Sequence, residues 1–97
     1  MSVYAIAHIR RIKAPETFDA YRAAASEALA KHGGRVAQVL PKPARLEGDL
    51  EIPQVLALLE FPDWQAARNW HADPELADIH ALRTSGTDIS IFMAGEG

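Results

Sequence analysis

The chain contains no cysteine, so neither a disulfide nor a thiolate metal site can supplement its core. Aromatic residues make up only 7%, and no Lys/Arg stripe interleaves with them, which argues against a nucleic-acid partner. The one basic cluster, Arg10, Arg11 and Lys13, ends a strand pattern and reads as a solvated strand end. An excess of either charge is also lacking: 10 basic and 13 acidic residues are mixed along the chain, for a net charge of −3. No apolar run approaches the roughly 20 residues needed to cross a bilayer. A signal-peptide pattern is missing too, because polar and basic residues interrupt the N-terminus from His8 to Arg11. These absences point to a soluble, cytoplasmic protein with no membrane partner.

The usual catalytic signatures are equally scarce. His8, His32, His71 and His80 fall at no metal-binding spacing, so no metal site is expected. Ser85 and Ser90 belong to a helix end and a strand, not to a nucleophile elbow. Gly33-Gly34 lacks the further glycines and the preceding strand of a dinucleotide motif and reads as a helix stop, so no cofactor is expected.

What is present is a well-marked succession of elements within one domain, residues 1–97. At 97 residues, a chain buries only about 60–65% of its unfolded surface. Its 48% apolar content is ordinary, so self-association is a reasonable source of further burial. Val3 to Ile12 alternates as a strand, with Val3, Ala5, Ala7 and Ile9 on one face and Tyr4, Ile6, His8, Arg10 and Ile12 on the other. The small residues of the first face would let helices pack close. From Pro15, the residues Phe18, Tyr21, Arg22, Ala25, Ala28, Leu29 and His32 form one helical stripe, ended by Gly33-Gly34. Arg35 to Leu40 is a short strand, and Pro41 and Pro43 then force an irregular path. Ala44 to Ile52 is a long connection with a turn at Gly48-Asp49.

Gln54 to Phe61 is apolar on both sides, as a central strand is. Asp63 caps a helix over Trp64–His71, and Asp73-Pro74-Glu75 starts another. Leu76, Ile79, His80 and Arg83 share a stripe of that second piece, which Thr84-Ser85-Gly86 ends. Thr87 to Met93 is a last strand, and Gly95 to Gly97 a frayed tail. The order β-α-β-β-α-β predicts an α+β, ferredoxin-like fold, a four-stranded antiparallel sheet with both helices on one face. The opposite face (Tyr4, Ile6, Ile12, Leu56, Leu58, Phe92) is too apolar for water. A second copy laying the same face against it gives a sheet-to-sheet homodimer.

A polar set accompanies the large aromatics. His32, Arg45, Glu47, Trp70 and Arg83 are candidate ligand-binding residues, and Glu60, His80 and Arg83 candidate catalytic ones. Glu60 and Arg83 could pair where the second helix meets the sheet, as a site or as a structural bridge. In a site, Arg83 would bind a carboxylate or enolate oxygen while a His or Glu moves a proton, with Trp70 as an apolar wall.

Several segments carry a family resemblance: the opening VYAIAHIRRIKAPETFDAYRAAA, the HGGR at 32–35, the LEGD at 46–49, the block LLEFPDWQAARNWHADPELADIHALR, and the closing strand. Together they resemble the domain-of-unknown-function family numbered 1330, within the dimeric α/β-barrel superfamily. Two positions depart from its pattern: Ala14-Pro15 stands where Asp-Pro is usual, and His71-Ala72-Asp73 where an aromatic or Ser is common. The resemblance implies a homodimer and no established reaction. Superfamily relatives include cofactor-free monooxygenases, haem-degrading enzymes and small isomerases. The haem-degrading type needs an Asn on its first strand, where this chain offers Ala7 and His8. The expectation is a small-molecule pocket between helices and sheet, with isomerase-like proton transfer. The alternatives are a non-catalytic dimeric module and a cofactor-free monooxygenase.

Overall fold

Strand alternation sets the layers. The computed structural model describes residues 2–96. In order it forms β1 (Val3–Ile12), α1 (Pro15–Ala30), β2 (Arg35–Pro41), β3 (Val55–Phe61), α2 (Trp64–Ala72), a 3₁₀ turn (Pro74–Leu76), α3 (Ala77–Gly86) and β4 (Thr87–Gly95). The sheet order is β2-β3-β1-β4, and every neighbouring pair is antiparallel. This is the ferredoxin-like arrangement, with the helices on one face. Gly95 is the last paired residue, opposite Val3, so the expected frayed tail is shorter than its sequence suggests; Gly97 lies outside the described residues.

The face read as apolar from Val3, Ala5, Ala7 and Ile9 is buried against the helices. Cross-strand register places Phe61, Leu59 and Ala57 beside Val3, Ala5 and Ala7. Val3, Ala5, Leu59 and Phe61 join Ala28 and Leu29 of α1, Ala67 and Trp70 of α2, and Leu76 in one core cluster. One expectation on the other face fails. Ile12 turns to the helix side, beside Thr87, because a β-bulge between Ile9 and Arg11 inserts an extra residue and reverses the alternation. Arg10, at that bulge, bonds Asp88 and Ser90 on the open face.

Helix starts and stops follow the local chemistry. Ala14 caps nothing with its side chain; instead Lys13 and Ala14 N–H donate to the Gly86 carbonyl at 2.9 and 3.1 Å, pinning the start of α1 to the end of α3. Asp63 accepts from Ala66 N–H at 2.8 Å as the α2 cap. Asp73 accepts from Glu75 N–H at 2.8 Å, while its other oxygen meets Lys31 Nζ at 2.7 Å and His32 Nε2 at 2.8 Å. That carboxylate ties the end of α1 to the α2–α3 junction. Lys31 first, then His32 and the Glu75 amide, hold it well below the usual carboxylate range. Gly33 takes φ +75° at the end of α1, a left-handed conformation that favours glycine. Gly34 is needed for a different reason: a Cβ there would lie 2.6 Å from the Phe61 ring.

The open face keeps its apolar character. Ile6 stands between Leu58 and Phe92, and Phe92 is 62% exposed. The described residues form a slab with Cα extents of 34 × 33 × 17 Å. Among them, no helix is long and apolar enough to cross a membrane.

Candidate functional site

The site begins with the stripe on α3. Helical spacing sets Leu76, Ile79, His80 and Arg83 toward the sheet and α1, and Arg83 is only 3% exposed. Its guanidinium carbon lies 5.0 Å from the Trp70 ring centre and 5.6 Å from that of Tyr21 on α1, a cation flanked by two π-faces. Nη1 donates to His80 Nδ1 at 3.1 Å. His80 Nε2 in turn donates to the Trp70 carbonyl at 2.8 Å. The two contacts require neutral imidazole, protonated on Nε2. Burial pushes the His80 pKa below its usual value; the charges of Arg83 and His71 push the same way, against the Trp70 carbonyl and Asp73. The imidazole therefore acts as a brace for the guanidinium.

No carboxylate pairs with Arg83 among the described residues. In particular, the anticipated Glu60–Arg83 pair does not form. Glu60 stands in register with Tyr4 and Arg35, on the face of the sheet that carries no helices, and its ion-pair partner is Arg35. Its pKa is lowered by a hydrogen bond to Ser2, helped by Arg35. The alternation that buries Leu59 and Phe61 against the helices turns Glu60 away from them.

Two clefts lie between helices and sheet. The larger, about 450 Å³, is floored by Ala7, Ala57, Leu59 and Ile91, walled by Phe18, Tyr21 and Ala25 of α1, and bordered by Val36 and Val39 of β2. Arg83 also lines it, with Arg22 and Ser26 as further polar groups; no Asp, Glu or His does. The smaller, about 330 Å³, lies under α2 over Ala5, Phe61, Ile91 and Met93, with Trp70, Arg68 and His71 around it. The stacked Arg83 and Trp70 side chains each line one cleft. Small strand residues thus do more than let helices approach: above Ala7 and Ala57 they leave room unfilled. Trp70 is 3% exposed, and its indole N–H has no acceptor among the described residues.

Of the sequence candidates, Trp70, His80 and Arg83 come together. His32 sits at the outer α1–α2 seam against Asp73. Arg45 is exposed in the β2–β3 connection, where its Nη2 donates to the Leu50 carbonyl at 2.7 Å, and Glu47 is exposed nearby. None of His32, Arg45, Glu47 and Glu60 lines either cleft. Tyr21 was not singled out for the site. Its signal was its place on the α1 stripe one turn before Ala25, facing the sheet.

The arrangement can hold an apolar molecule with one acidic oxygen directed at Arg83. It offers no carboxylate or imidazole at the wall of the larger cleft to move a proton.

A family model described as domain of unknown function (DUF1330) matches residues 2–95. No curated protein matches the chain. Among solved structures, a protein of unknown function from Rhodopseudomonas palustris superposes with a TM-score of 0.80 at 17% identity, covering 99% of this chain and 82% of that one. SnoaB, a cofactor-independent oxygenase from Streptomyces nogalater, gives 0.72 at 17% identity, covering 98% and 92%. A dimeric ferredoxin-like protein of unknown function from Jannaschia sp. CCS1 gives 0.62 at 14% identity, covering 99% and 100%. At these identities the likeness is one of fold.

Proposed function

Since the chain belongs to the DUF1330 family, whose description assigns no reaction, we propose its function from the site: it binds a small apolar organic molecule with one anionic oxygen in the cleft between α1 and the sheet. The observation that carries this is Arg83, a buried cation without an acidic partner among the described residues, lining an apolar cleft of about 450 Å³. A buried charge without a counter-ion is costly, and a carboxylate, enolate or phenolate supplied by the ligand offsets that cost with a charge-assisted hydrogen bond. His80, braced on the Trp70 carbonyl, fixes the guanidinium without touching the ligand. Arg83 would stabilise an oxyanion, which supports binding and enolate chemistry better than proton transfer by Glu60 or His80. The working unit is a homodimer, formed by the open apolar face around Ile6, Leu58 and Phe92.

The test is a titration with 2-naphthoate and with neutral 2-naphthylmethanol, read by calorimetry. Wild type should favour the anion by at least tenfold, and Arg83→Met should lose that preference while its circular dichroism is unchanged. Equal binding of the two probes, or an unaltered preference in the variant, refutes the assignment; a destabilised variant with no wild-type binding identifies Arg83 as a structural element of a non-catalytic module. A second reading, cofactor-free oxygenation, is favoured by the fold shared with SnoaB together with an apolar cleft whose polar lining is Arg83, Arg22, Ser26 and Tyr21. There a phenolic substrate that has lost its proton to water before it binds beside Arg83 supplies the electrons that reduce dioxygen, one oxygen atom entering the product and the other leaving as water. Oxygen uptake with a phenolic substrate in metal- and flavin-free buffer supports it, and no uptake across such substrates removes it.

A further inference from the structure

The connection between β2 and β3 carries the most exposed leucines among the described residues. Leu46 is 100% exposed, Leu50 82% and Ile52 45%, three branched apolar side chains within seven residues. Single exposed leucines are ordinary, but such a cluster marks a contact surface. The segment is also tied in place. Arg45 Nη2 donates to the Leu50 carbonyl at 2.7 Å, and Gly48 takes φ +93° at the turn. At its return, Gln54 N–H donates to the Ile9 carbonyl at 2.8 Å, and Gln54 Oε1 accepts from Ile12 N–H. It is a pre-formed projection rooted on β1, so little ordering cost attends its docking.

We infer that residues 42–54 are an arm that buries Leu46, Leu50 and Ile52 on a second copy of this chain. Three observations select that occupant. The arm is continuous with the open sheet face: Leu40 and Leu56, on either side of it in sequence, stand opposite each other on that face, and Leu40 is itself 39% exposed. No residue from 42 to 54 lines either cleft, so the arm does not cover its own subunit's site. The area also fits. The chain exposes 6211 Å², whereas a folded monomer of its 10.6 kDa exposes about 5,500 Å² by the size scaling. The surplus of roughly 700 Å² is close to the ~800 Å² that each partner contributes to a standard interface.

This inference rests on the homodimer proposed above, and the experiment separates the two. Sedimentation velocity over a dilution series compares wild type, Leu46→Ser/Leu50→Ser, and Phe92→Asp on the open face. With the arm engaged, the double serine variant raises the dimer dissociation constant between tenfold and a hundredfold at unchanged circular dichroism. An unchanged constant overturns the arm while leaving the dimer; a monomeric wild type overturns both; an unchanged dimer with altered 2-naphthoate affinity makes the segment a lid and overturns the arm. Because the chain has no cysteine, Leu46→Cys gives an independent readout. Maleimide labelling should slow at least tenfold above the dissociation constant compared with high dilution, and an equal rate at both concentrations refutes burial of the arm.

Discussion

Replacing Gly34 by alanine tests how the core wall of the site is built. Gly34 is buried where the chain leaves α1, and its N–H donates to the Leu29 carbonyl at 2.9 Å. Its φ is not in the left-handed region, so alanine suits the backbone and gains about 0.4–1 kcal/mol by restricting the unfolded chain. Space decides against it. The new Cβ would lie 2.6 and 2.8 Å from Cε1 and Cδ1 of Phe61, where carbon atoms prefer about 3.5–4.0 Å. Phe61 is 1% exposed, and its ring centre is 5.5 Å from that of Trp70, so it can retreat only by pushing the tryptophan that stacks on Arg83. Overpacking of this kind costs about 1–3 kcal/mol. Net of the entropic gain, a loss of about 1.5 kcal/mol is expected, equivalent to roughly 6–12 °C in Tm for a domain of this size. The assay is urea unfolding at one fixed protein concentration, because association would otherwise add to the apparent stability. In a Phe61→Leu background the cost of Gly34→Ala should shrink by about 1 kcal/mol, as a double-mutant cycle on a direct contact requires. A Gly34→Ala protein as stable as wild type, or a cost indifferent to residue 61, refutes the argument.

Two pH effects, in separate windows, report on the seam and on the site. The Asp73 carboxyl titrates below its unfolded value, mainly because of Lys31 and then His32. Its stabilisation is therefore complete above the ordinary carboxylate pKa near 4 and is lost as pH falls further; Asp73→Asn should flatten that acid limb in urea midpoints. His80 is lowered by burial, so the unfolded chain binds its proton first and stability declines as pH falls below about 6.5. His80→Gln should remove that decline, and an unchanged slope between pH 5 and 7 counts against the neutral brace.

The layers were legible in the sequence because strands and helices announce which side they bury. Period-two alternation in β1 and β3 marked Val3, Ala5, Leu59 and Phe61, and Asp63 and Asp73 marked two helix starts through their caps. The bulge at Arg10 was not legible, since it depends on how β1 pairs with β4, and it carried Ile12 to the wrong face. The supposed Glu60–Arg83 bridge failed for a reason the sequence did hold: Glu60 alternates with Leu59 and Phe61, so a strand that buries those two against the helices must turn Glu60 outward. A pocket between helices and sheet was expected, but its floor was not legible, because an alanine on a strand equally permits a helix to approach or leaves a space, and only the positions of α1 and α2 decide between the two.

That ambiguity gives a test of whether the larger cleft is kept for a ligand. Ala57 pairs with Ala7 on one side and Val39 on the other, and the first two form part of the floor of the cleft that Arg83 also lines. In Ala57→Leu the added carbons enter the cleft and cover apolar wall now wetted. At about 0.8 kcal/mol per buried methylene, part of the ideal ~2.4 kcal/mol should appear, so a gain of about 1 kcal/mol is expected in urea unfolding. The same change should abolish 2-naphthoate binding, because the added side chain fills part of the cleft that Arg83 lines. A small domain that forgoes such an easy gain at a floor position does so where the space itself is used. Unaltered naphthoate affinity in Ala57→Leu would place the ligand elsewhere. A fall in stability would mean that the floor is already packed and the cleft too shallow to hold one.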